Sequence, residues 1–72
     1  MKSTLDIKDI VKIGGSVIIN SSISTLNIKD IVKVASTSSQ IIIKKADNMS
    51  TLDIKDIVKV AGGKTVIFDF TE

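Results

Sequence analysis

Ser3-Thr4-Leu5-Asp6-Ile7-Lys8-Asp9-Ile10-Val11-Lys12-Ile13 is written again, with conservative changes, at residues 24–34 and once more at residues 50–60. Leu5, Leu26 and Leu52 mark the copies at spacings of 21 and then 26 residues, a period that belongs to solenoids and stacked arrays. Each copy passes through a turn of small residues into a β-branched run: Val17-Ile18-Ile19, Ile41-Ile42-Ile43 and Val66-Ile67-Phe68-Asp69-Phe70. The chain therefore reads as one domain, residues 1–72, of three tandem units at 3–23, 24–49 and 50–72.

The first part of each unit carries a helical stripe. Ile7, Ile10, Val11 and Gly14 fall at i, i+3, i+4 and i+7, with Ala35 and Ala61 at the matching later sites, so a two-turn helix with an inward face is predicted. Asp6, Asn27 and Asp53 are expected as N-caps. Asp9, Asp30 and Asp56 then stand where a capping box has its second acid, and Leu5 with Ile10, and their repeats, where a hydrophobic staple closes. The second part suits a strand, because β-branched side chains sit well on a pleated surface. Gly14-Gly15 and Gly62-Gly63 can supply the positive φ that ends a helix. Helix then strand, three times, makes successive strands parallel through right-handed crossovers. The predicted fold class is α/β: three tandem helix–strand repeats forming a small parallel three-stranded sheet with short helices on one face. The competing fold is a three-rung β-solenoid, since Leu5 and Ile7, Val11 and Ile13, and Val17 and Ile19 also alternate with period two. Ile10 beside Val11 breaks that alternation and satisfies the helical stripe.

Strand alternation assigns faces. Val17, Ile19, Ile41, Ile43, Val66, Phe68 and Phe70 are expected in the core, and Ile18, Ile42 and Ile67 on the opposite face with Asn20, Lys44 and Asp69. Parallel sheets are normally covered on both sides, and no helix of this chain is left for the second one. Ile18, Ile42 and Ile67 are therefore the candidate interface, and a homo-oligomer, first of all a dimer, or another protein partner is expected. The plainer possibility is three separate exposed isoleucines that need no partner.

Catalytic chemistry has little to work with. The 72 residues are 43% hydrophobic and 25% charged, which suits a packed domain, but His, Cys, Pro, Trp and Tyr are absent and all ten basic residues are Lys. No enzyme activity, cofactor or metal site is expected. Ala61-Gly62-Gly63-Lys64-Thr65 ends like a phosphate-binding loop, yet Val58 stands where its first glycine belongs and the order is helix to strand rather than strand to helix. Lys8, Lys29 and Lys55, and Lys12, Lys33 and Lys59, would align as two columns on one surface, which makes weak polyanion binding, to nucleic acid for instance, the alternative function. Asp9, Asp30 and Asp56 between them, the small net charge of +2 and the lack of Arg or stacking aromatics argue against it. Residues 1–4 lead into a charged segment with no apolar leader region, and no run reaches the length of a membrane span, so a cytoplasmic, membrane-independent protein is expected. The expected role is a non-enzymatic structural or protein-interaction module that self-associates.

Overall fold

The structure is a computed structural model that describes residues 2–71. Among the described residues three helices alternate with three strands: α1 Thr4–Lys12, β1 Val17–Asn20, α2 Thr25–Val34, β2 Gln40–Lys44, α3 Thr51–Ala61 and β3 Thr65–Phe68. A single 3-10 turn, Ala46–Asn48, interrupts the return from β2 to α3. The α/β reading holds, and the all-strand solenoid does not.

Each helix begins at a serine, earlier than the sequence suggested. Ser3, Ser24 and Ser50 are the N-caps, and their Oγ atoms accept from the backbone N–H groups of Asp6, Asn27 and Asp53 at 3.1, 3.2 and 3.1 Å. The supposed caps are thus the third helical residues, where Asp6 and Asp53 still face the positive end of the helix dipole. Leu5, Leu26 and Leu52 consequently lie inside the first turn and are exposed, not stapled. Ile23 and Met49 take the pre-cap position instead and pack against the core.

The helices end by three different devices. α3 stops at Gly62, whose φ of 57° is left-handed, and α1 stops just before Gly14 at φ 103°. α2 has no glycine; Ala35 simply turns extended. The turn that follows each later helix closes the preceding one. Ser39 Oγ and Ser36 N–H both donate to the Val11 carbonyl at 2.9 Å, and Lys64 Nζ donates to the carbonyls of Val32 at 3.2 Å and Lys33 at 2.6 Å.

The sheet order is β1-β2-β3, parallel throughout. Its register aligns Val17, Ile41 and Val66, then Ile18, Ile42 and Ile67, then Ile19, Ile43 and Phe68. Ile19, Ile41 and Ile43 join Ile28, Ile31 and Val32 in the buried cluster, so the helices all lie on that side. The third strand is shorter than expected. β3 ends at Phe68, which packs half-buried against the core, whereas Phe70 is exposed and not a core residue. Asp69 still bridges to the second repeat through its N–H to the Ile43 carbonyl at 2.9 Å and its carbonyl from the Ala46 N–H at 3.0 Å.

Helix packing departs from a uniform inward stripe. α2 packs between α1 and α3, and its Ile31 and Val32 are both fully buried. In α1 the second of this pair, Val11, is buried while Ile10 is 39% exposed; in α3 the first, Ile57, is buried while Val58 is 54% exposed. The pair therefore points to opposite flanks. Ile10, Ile31 and Ile57 face the preceding repeat, and Val11, Val32 and Val58 face the following one.

Candidate interaction surfaces

Ile18, Ile42 and Ile67 sit side by side across the three strands on the face that no helix covers. Ile18 is 66% exposed and Ile67 41%, while Ile42, flanked on both sides, is half-buried. The row is bordered by polar groups. Lys44 Nζ lies 3.7 Å from Asp69 Oδ2, the single ion pair among the described residues, and Asn20 Oδ1 accepts from the Ser22 N–H at 2.9 Å. Asp69 also accepts from the hydroxyl and the N–H of Thr71. The Thr71 hydroxyl first, then its N–H and the Lys44 charge, hold the Asp69 carboxyl below its ordinary value of 3.8, with burial opposing them.

Beside this face, the open edge of β1 forms one wall of a cleft of about 390 Å³, whose lining includes Ile7, Ile10, Val17, Ile19 and Ile23. β1 and β3 each have only β2 as a neighbour, so both outer strands keep unpaired backbone groups along one side.

The lysine columns do not form the single surface that the sequence suggested. Lys12, Lys33 and Lys59 are exposed on all three helices, but Lys8 and Lys29 are half-buried and only Lys55 of their column is exposed. The reason is helical angle: Thr4, Lys8 and Val11 share the flank toward the next repeat, so their column runs into the seams between helices. On the opposite flank Asp6, Asp9, Ile10 and Ile13 share a face at i, i+3, i+4 and i+7. Their counterparts Asn27, Asp30, Ile31 and Val34, and Asp53, Asp56, Ile57 and Val60, are all at least half-buried, whereas all four in α1 are exposed. One contact across a seam is explicit: Thr25 Oγ1 donates to Asp53 Oδ2 at 3.1 Å. These two flanks were missed in the sequence. Plotting the three copies on a helical wheel would have separated them, because positions 6, 10 and 13 and positions 4, 8 and 11 fall on different sides.

The Gly62-Gly63-Lys64-Thr65 turn joins α3 to β3, and its lysine serves α2's terminal carbonyls. Among the described residues no group of three or more Asp or Glu side chains is placed to hold a metal ion. No helix among them is long and apolar enough to cross a membrane.

No family model, curated protein or solved structure matches the chain. The functional reading therefore stands on the surfaces described above.

Proposed function

We propose that this chain is a non-enzymatic repeat module whose role is protein association, in the first instance with a second copy of itself. One observation carries the reading: the in-register row Ile18, Ile42 and Ile67 on the uncovered face of a parallel sheet. Burying that row against another apolar face removes it from water, and the Asn20, Lys44 and Asp69 border gives the contact a polar rim.

The size of the face decides the strength. Three strands about 4.8 Å apart and four residues of about 3.3 Å each make a surface of roughly 190 Å². Specific complexes use about 800 Å² per partner. A dimer through this face alone is accordingly weak and dependent on concentration. The polyanion alternative keeps only the Lys12, Lys33 and Lys59 column as a continuous exposed set, and it has no arginine to grip phosphate.

Sedimentation equilibrium separates these readings. Ile42→Lys lowers the average mass at a given concentration, while Lys33→Glu leaves it unchanged and abolishes any retention on a nucleic-acid column at low salt. An average mass for Ile42→Lys equal to that of the original chain would remove the sheet face from the proposal.

A further inference from the structure

Each seam between neighbouring repeats is made by two unlike flanks. One flank brings Thr25, Lys29 and Val32 of α2, and the other brings Asp53, Asp56, Ile57 and Val60 of α3. The same seam stands between α1 and α2, with Val11 on one side and Ile31 on the other, both fully buried. Among the described residues, the first and last repeats leave the same halves without their opposites. The leading flank exposes Asp6, Asp9, Ile10 and Ile13, the last at 89%, next to the open edge of β1 and its 390 Å³ cleft. The trailing flank exposes Thr51, Lys55 and Val58, next to the open edge of β3.

We propose that copies of this chain stack end to end, the α3–β3 flank of one seated on the α1–β1 flank of the next, so that every junction repeats the seam already built twice inside the chain. The occupant of the β1 cleft is thus a second copy, argued from continuity with the internal seams. Val58 meets Ile10 as Val11 meets the flank of Ile31, and Thr51 reaches Asp6 as Thr25 reaches Asp53. Charge agrees in sign between the helix flanks, with Asp6 and Asp9 on one and Lys55 on the other, while Lys2 lines the adjoining cleft. The free edges of β1 and β3 supply the parallel pairing, which continues the order of the sheet. The contact is heterologous, so it leaves a fresh flank at each end and propagates. One internal feature is not copied: Gly15, in register with Ser39 and Lys64, has no side chain to close the carbonyls of the α3 that precedes it. The stacking surface meets the isoleucine row only at Ile18, which also lines the cleft, and it does not include Ile42.

The test uses the 72-residue chain in an Ile42→Lys background, which silences the sheet face. One variant blocks the leading flank with Asp9→Lys and Ile13→Lys; another blocks the trailing flank with Lys55→Glu and Val58→Glu, all at exposed positions. Circular dichroism checks that each is folded, and Asp9→Lys alone or Lys55→Glu alone replaces whichever double variant is not. Expected from light scattering is an average mass for the unblocked chain that climbs roughly threefold or more toward ~1 mM. Each blocked variant should stay monomeric, and the two together should associate, because one good flank remains on each. The proposal falls if the unblocked chain stays monomeric at ~1 mM, if either blocked variant associates like the unblocked one, or if mixing restores nothing. Each of these outcomes leaves the effect of Ile42→Lys in the original chain to be judged separately.

Discussion

Gly15 is held by contact more than by backbone angle. A Cβ there would lie 2.6 Å from Ile10 Cγ2 and 2.9 Å from the Ile10 carbonyl oxygen, and the second neighbour is main chain that cannot swing aside. The Gly15 N–H donates to that same carbonyl at 2.9 Å, so relief would also cost a hydrogen bond. Gly15→Ala is expected to destabilise the chain by about 1–3 kcal/mol, read as a lower urea midpoint with an unchanged slope. Gly63→Asn, in open space at φ 96°, is the informative control because only backbone strain acts there. Asp69 makes a second prediction. Its carboxyl titrates below 3.8 in the folded chain, so its contribution to stability is present above that pH and fades as pH falls through the lower, folded value. In an NMR titration Thr71→Val should raise the midpoint more than Lys44→Ala, because the Thr71 hydroxyl bond is the larger cause. Equal shifts, or a larger rise with Lys44→Ala, would overturn that ranking.

At the scale of elements, β3 is the strand whose length the sequence overstated. Val66, Phe68 and Phe70 alternate correctly, but pairing with β2 ends at Phe68 and Phe70 passes beyond the sheet into solvent. Phe68 is itself half-buried at the open edge, so Phe68→Ala should cost about 2–3 kcal/mol in urea denaturation, below the 3–5 kcal/mol of a fully enclosed ring. A loss at or above that range would mean the ring is more enclosed than the edge position implies. The helix starts were legible in a form that was misread. Ser3-x-x-Asp6, Ser24-x-x-Asn27 and Ser50-x-x-Asp53 resemble the Ser-x-x-acid pattern of a capping box, and taking the acid as the cap moved each start by three residues and turned exposed leucines into staples. Strand register, by contrast, followed directly from alternation in runs with one buried face.

At the scale of the molecule, repetition made the order of elements readable, because three copies of one helix–strand pair admit few topologies with right-handed crossovers. The isoleucine row was readable for the same reason. A helical wheel separates the two flanks, but which copy of a flank stays bare was not readable, since Ile10, Ile31 and Ile57 carry the same residue and differ only in whether a neighbour precedes them. Burial of that kind is a property of position in an array and has no local signature. The layers also differ in pitch. Helix axes pack about 8–10 Å apart while strands lie about 4.8 Å apart, and with roughly 10 Å between the layers each repeat is a wedge of about 24°. A continuous stack would turn once in about fifteen repeats, or about five chains, and the twist of the sheet lifts that turn into an open coil. The narrow side of every wedge is the sheet, so Ile18, Ile42 and Ile67 would run on from chain to chain as an apolar ribbon along the inner wall, a far larger surface than any single copy presents.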